Sequence, residues 1–217
     1  MYKTMKGENI ARLFNNFHHA RSTQHTTHEH IMTFYNYTRN CKSVCEVGIE
    51  GGFSTWGFLM GLFDNKTKFE RECDLFYVGV DIERYPVVQE CQEICNNVNL
   101  DFSFIQSNSV EAIIPEVDLL YIDSWHVYGH LKRELEHFHS KVRKYIIMHD
   151  TSIDGEIGES VRRGWNVAEQ AQKYGYTEDE VVRGLWPAIQ DFVDQHPQWI
   201  IKERYTNCYG LTILERL

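Results

Sequence analysis

The segment Cys45-Glu46-Val47-Gly48-Ile49-Glu50-Gly51-Gly52-Phe53-Ser54-Thr55 constrains the fold of this chain more than any other. A mainly apolar run, Val44 to Val47, ends in a glycine-rich turn, followed by Ser54-Thr55 and the apolar positions Trp56, Phe58, Leu59 and Leu62. That order reads as strand, tight loop, helix start. Glycine lets the backbone take positive φ and approach a ligand closely, and a helix N-terminus offers free N–H groups and the positive end of a dipole. Further on, Phe76-Tyr77-Val78-Gly79-Val80-Asp81 gives a second strand that ends in an acid. A carboxylate at that place can hold a pair of ribose hydroxyls. The glycines do not follow G-x-G-x-x-G. From Gly48 they read G-x-x-G-G with Glu46 in front, and an acid before the turn suits a cationic group better than a pyrophosphate. The bland alternative is an ordinary strand-to-helix turn.

A length of 217 residues fits one α/β domain, and 42% hydrophobic with 24% charged residues describes a globular chain. The net charge of −9 and the lack of a long basic run argue against a nucleic-acid partner. No apolar run approaches membrane-spanning length, and the polar start lacks a secretory signal. The six cysteines, at 41, 45, 73, 91, 95 and 208, show no zinc-ribbon spacing. They read as buried free thiols of a reducing, cytoplasmic compartment. The chain is treated as a single domain, 1–217, with residues 1–40 as a helical and loop cap and 41–217 as the core; self-association is left open.

Apolar runs near 44–48, 76–81, 102–106, 117–122 and 144–148 alternate with helical patterns near 54–63, 86–96, 127–139 and 159–172, the mark of a mostly parallel sheet. In the helix after Asp123, Tyr128, Leu131, Leu135 and Phe138 share one face, with Lys132, Arg133, Glu134 and Glu136 opposite. A helical stretch over 178–195 is interrupted near Gly184 and Pro187. Runs at 199–201 and 210–214 close the chain as a hairpin, so the last strand runs antiparallel to the rest.

Ligands of such sheets sit at the carboxyl ends of the strands. The fourth strand ends in Ile122-Asp123-Ser124-Trp125-His126, the fifth in Met148-His149-Asp150-Thr151, and the third in Gln106-Ser107-Asn108-Ser109. Asp123 with the His149-Asp150 pair can bind a divalent metal. His126, three residues past Asp123, can take a proton from a hydroxyl. The structural alternatives are that Asp123 caps the next helix and Asp150 opens a turn. Asn108 either meets a base edge or starts a short helix. His18, His19, His25, His28 and His30 form a polar surface with one or two rings near a substrate, or bind metal.

Glu46-Val47-Gly48 through Ser54-Thr55-Trp56, with Asp81, resembles the cofactor half of a class I S-adenosylmethionine-dependent methyltransferase. Ile122-Asp123-x-x-His126, Met148-His149-Asp150 and the tail Gly184-Leu185-Trp186…Phe192…His196-Pro197…Trp199…Arg204-Tyr205-Thr206-Asn207…Gly210-Leu211-Thr212 are similar to the cephalosporin hydroxylase/macrocin-type O-methyltransferase group, related to the metal-dependent catechol-type enzymes. The resemblance covers roughly residues 40–217. It implies a Rossmann-like α/β fold, a mostly parallel seven-stranded sheet with an antiparallel last strand and helices on both faces. It implies S-adenosyl-L-methionine bound by Glu46, Gly48, Gly51, Ser54, Thr55, Asp81, Asn108, Ser109 and Asp123. It implies Mg2+ or Mn2+ on Asp123, His149 and Asp150, with His126 as the general base. The chain departs from the group at His149, where an acid is common, and at Asn108, usually acidic. His149 is then a ligand of a softer ion or stands behind the ligands. The substrate implied is a small molecule or glycan, with a sugar hydroxyl favoured. Two readings compete: a metal oxygenase built on Asp123, His126 and His149, and a non-catalytic cofactor-binding domain.

Overall fold

A computed structural model describes the backbone of residues 2–69 and 75–217, and the side chains of 7–67 and 75–217. Cys73 lies outside the described residues. The chain divides into two compact units, residues 1–121 and 122–217. Seven strands form one sheet in the order β3-β2-β1-β4-β5-β7-β6.

The first unit opens with α1 (Tyr2–Ser22), a single 3-10 turn at His28–His30 and α2 (Ile31–Thr38). Then come β1 (Ser43–Val47), α3 (Phe53–Phe69), β2 (Phe76–Asp81), α4 (Pro86–Val98), β3 (Asp101–Gln106) and β4 (Val117–Ile122), whose last residue begins the second unit. β1 pairs in parallel with β2, Ser43 opposite Phe76, and β2 with β3, Phe76 opposite Asp101. Every residue of β1 and β4 is buried, which is why both read as apolar runs without alternation. Proline at the first position of α4 presets the helical φ, and Asn99 closes the helix with φ 55°. Cys91 and Cys95 are buried on its inner face. Gly61 of α3 lets α2 approach: a Cβ there would stand 2.7 Å from Thr38 Cβ and 2.9 Å from the Tyr35 carbonyl. Phe34, Phe58 and Tyr121 fill the space behind this contact, with ring centroids 4.9 to 5.2 Å apart.

The second unit holds α5 (Tyr128–Phe138), β5 (Val142–His149), α6 (Glu159–Arg162), α7 (Val167–Tyr174), α8 (Glu178–Val182), α9 (Leu185–Gln195), β6 (Trp199–Tyr205) and β7 (Leu211–Arg216). β7 runs antiparallel to both β5 and β6 and lies between them. The expected helix over 159–172 is in fact two, because Gly164 turns the chain at φ 69° and Asn166 caps α7 by accepting from the Glu169 amide. The stretch 178–195 breaks at Arg183-Gly184, and Pro187 sits in the first turn of α9, where no amide hydrogen is needed. Leu131, Leu135 and Phe138 form the buried face of α5, but Glu134 belongs to that face too and is fully buried. Its carboxylate accepts from Ser124 Oγ at 2.7 Å, a partner ten residues away that helical periodicity does not reveal. Cys41, Cys45, Cys91 and Cys95 are buried free thiols, whereas Cys208 is half-buried. Among the described residues no helix is long and apolar enough to cross a membrane.

Candidate functional site

In the first unit the turn after β1 is built as its glycines require. Gly48 has φ 84° and Gly52 φ 73°, and a Cβ on Gly52 would stand 2.6 Å from Val87 Cγ2. Gly51, by contrast, has nothing nearer than 3.5 Å. Glu50 also takes a positive φ of 42°. The Asp81 carboxylate reaches this turn from the end of β2. One oxygen accepts from the Ile49 amide at 2.8 Å and the Glu50 amide at 3.4 Å, and the other from the Glu83 amide at 3.1 Å. Gly79 on β2 makes room for Ile49, since a Cβ there would meet Ile49 Cδ1 at 2.3 Å. Beside Asp81, Ile82 is 72% exposed, an apolar side chain in open solvent that strand periodicity did not single out.

Glu46 lies beneath the turn and is fully buried. Its carboxylate accepts from the Ser54 hydroxyl, from Thr55 Oγ1 at 2.8 Å and from the Tyr77 hydroxyl. Burial and this charge together push the Tyr77 phenol well above its ordinary pKa. The structure thus brings Glu46, Ser54 and Thr55 together as a floor of mutual hydrogen bonds. Asn108 starts the 3-10 turn Ser109–Glu111, its side chain accepting from the Val110 amide at 3.4 Å, and Ser109 is buried. Of the N-terminal histidines, His25 stacks flat on Phe53, the first residue of α3, with centroids 4.0 Å apart, and His30 is buried.

In the second unit His126 sits within a ring of carboxylates. Its Nε2 lies 3.1 Å from Asp123 Oδ1, and its Nδ1 lies 2.9 Å from Asp150 Oδ2, 3.2 Å from Asp154 Oδ2 and 3.7 Å from Glu159 Oε2. Arg162 closes the far side with a two-pronged bond to Asp154, its Nη2 at 2.8 Å. Burial opposes charge on His126, but hydrogen bonds to Asp123, Asp150 and Asp154 prevail and raise its pKa well above the ordinary value. Burial likewise opposes charge on Asp123, but the His149 charge and the His126 hydrogen bond prevail, and its carboxyl is held below the usual carboxylate range. The sequence places Glu159 and Arg162 only at the start of a helix and singles out nothing at Asp154.

His149 ends β5 and is almost wholly buried. Its Nε2 lies 2.9 Å from the Cys208 carbonyl oxygen. A carbonyl only accepts, so Nε2 carries the hydrogen, and a neutral His149 presents its lone pair at Nδ1. Nδ1 faces Asp123 Oδ2 at 3.5 Å and Asp150 Oδ1 at 3.2 Å. A lone pair opposite two carboxylates is repulsive unless a proton or a cation stands between them. One ligand atom from each of Asp123, His149 and Asp150 lies within 4.8 Å of the others. Asp150 is held at φ 57°, in the left-handed region that non-glycine residues adopt uncommonly. The donor set fits a divalent ion, and a ring nitrogen bonded to a backbone carbonyl is the usual support of a histidine ligand. His126, Asp150 and Asp154 form a second such group, sharing Asp150. The triad Asp123, His126 and His149 is not among such groups of the described residues. His130, on the next turn, turns away to the Tyr176 hydroxyl at 2.8 Å.

Trp125, between Asp123 and His126, donates its indole N–H to Ser160 Oγ at 3.1 Å and packs against Tyr174 and Tyr176 with centroids 5.2 and 5.4 Å away. Tyr174 and Trp165 keep 48% and 42% of their surface exposed.

No family model and no curated protein matches this sequence. Solved structures do. The chain is similar to the SAH-bound methyltransferase PaMTH1 of Podospora anserina at 14% identity and TM-score 0.57, over 94% of this chain and 87% of that one. It is similar to cofactor-bound Rv0187 from MTB at 12% identity and TM-score 0.55, over 96% and 89%. The Bacillus cereus O-methyltransferase in complex with SAH gives 12% identity and TM-score 0.50, over 99% and 91%. The fold of this chain is the Rossmann-like fold of these methyltransferases.

Proposed function

We propose that residues 1–217 form one S-adenosylmethionine-dependent O-methyltransferase domain that uses a divalent ion and acts on a sugar hydroxyl. The observation that carries this reading is the closure of Asp123, His149 and Asp150 on one point, in a fold whose solved neighbours include an SAH-bound O-methyltransferase. The turn after β1, with Gly48 and Gly51, would take the cofactor, Asp81 its ribose and Ile82 a face of its base; Asn108 and Ser109 would complete the lining. Glu46, Ser54 and Thr55 would shape the turn from below.

Asp123, His149 and Asp150 would hold Mg2+ or, given the imidazole, Mn2+. When bound, such an ion lowers the pKa of a hydroxyl and orients it. S-adenosylmethionine would supply the methyl group from its sulfonium, and His126 would take the proton of the acceptor hydroxyl. The carboxylates at both ring nitrogens favour its cationic form, so His126 would accept the proton only in its neutral form, with turnover rising as pH rises. Asp154, fixed by Arg162, keeps the ring oriented. The aromatic group of Trp125, Tyr174 and Tyr176 supports a sugar acceptor, since sugar rings stack on such faces. Calorimetry with S-adenosylmethionine and S-adenosylhomocysteine, with and without Mn2+ or Mg2+, tests the reading. Absence of cofactor binding under all these conditions would end it. The oxygenase reading loses support because its three ligands do not form a group.

A further inference from the structure

We propose that Glu136, His139 and His196 form a second metal site, for a divalent transition ion of the zinc class, where α5 and α9 end. One ligand atom from each of the three lies within 4.8 Å of the others. Glu136 and His139 are three residues apart at the end of α5 and so share a face. His196 follows the last residue of α9, and its Nε2 lies 2.9 Å from Glu136 Oε1. The His139 and His196 rings are 4.3 Å apart, and Phe192 packs against both, at 5.5 and 4.5 Å. The rings are therefore held by packing.

A surface ion pair between His196 and Glu136 explains two of the three residues. It leaves out His139, whose Nδ1 is buried without a hydrogen-bond partner. The negative ends of two helix dipoles also meet here, a favourable setting for a cation. Two imidazoles and one carboxylate select zinc-like ions over magnesium or calcium. Three protein ligands leave a fourth position open to water. Adjacent ligand atoms of a tetrahedral site stand ~3.4 Å apart, a closure that small side-chain rotations supply. The eleven residues of α5 place this site about 16 Å along the helix from its start near His126. The ion would tie the end of α5 to the end of α9.

Cobalt(II) titration followed by its visible absorption tests the proposal, on the wild-type chain and on His139→Ala, His196→Gln and Asp123→Asn. The wild type and Asp123→Asn should show the band of a four-coordinate site. Both histidine variants should lose it or bind cobalt at least ten-fold more weakly. His196→Gln keeps a donor toward Glu136, and circular dichroism checks that each variant is folded. Zn2+ should raise the melting temperature of the wild type more than that of His196→Gln. A wild type without the band, or a band unchanged in both histidine variants, overturns the proposal.

Discussion

His149 Nε2 donates to the carbonyl oxygen of Cys208 at 2.9 Å, and that one bond decides which nitrogen of the ring can act. It leaves Nδ1 to the two carboxylates of Asp123 and Asp150. His149→Ala should therefore weaken Mn2+ binding by about ten-fold or more, with cofactor affinity nearly intact. Mn2+ titration by electron paramagnetic resonance measures the first and calorimetry the second. Undiminished Mn2+ affinity would return His149 to a purely structural role.

Asp81 holds the turn after β1 through the amides of Ile49 and Glu50. Asp81→Ala removes charge-assisted bonds and should lower cofactor affinity by about ten-fold or more. Unchanged affinity in calorimetry would exclude Asp81 from the cofactor site.

Glu46 supports three hydroxyl groups in a place without solvent. Glu46→Ala leaves them without their acceptor and should cost about 2–4 kcal/mol of stability, while Glu46→Gln, which keeps one oxygen, should cost less. Urea unfolding distinguishes the two. Equal, small losses would mean that the carboxylate contributes nothing to holding the turn.

His126 is expected to make the metal-free protein pH-sensitive. Its folded pKa lies above the ordinary 6.5, so its stabilising contribution is complete below about 6.5 and fades as pH rises through the folded value. Asp123 has the opposite sign: its folded pKa lies below the ordinary 3.8, so its contribution is present above that value and is lost as pH falls through the folded one. Stability in EDTA should thus decline on both sides of the interval from about 4 to 6.5, and His126→Ala should lessen the alkaline decline, His149, also raised, supplying the rest. Urea midpoints across pH give the answer; an unaltered alkaline limb would locate the effect elsewhere.

If His126 accepts the substrate proton, His126→Ala should slow turnover by about a hundred-fold with little change in cofactor affinity. Near-normal turnover with an unchanged pH profile would move the base to another group.

The sheet was readable because its central strands are mostly apolar and each ends at a punctuating residue: Gly48 after β1, Asp81 closing β2, Asp123 after β4, His149 closing β5 with Asp150 next. Those ends were visible as local anomalies in apolar runs. What escaped depends on distance along the chain. Glu134 looked solvent-facing because its partner Ser124 precedes the helix. Asp154 looked like loop because its partners, His126 and Arg162, lie 28 residues before and 8 after it. Glu46 drew a ligand-facing reading because nothing in the order of residues says that Ser54, Thr55 and Tyr77 turn inward to it.

The position of β7 bears on biosynthesis. β6 leaves the ribosome before β7, yet β7 is the strand that joins it to β5. While translation proceeds, residues 199–205 have nothing to pair with, and the free edge of β5 stays open. Closure waits for residues 211–216, whose arrival pairs β5 and β6 with β7 in one step. A stop codon before Leu211 would strip two strands of their partner at once and expose Ile146, Ile147 and Trp199 together, a species that quality-control proteases would remove.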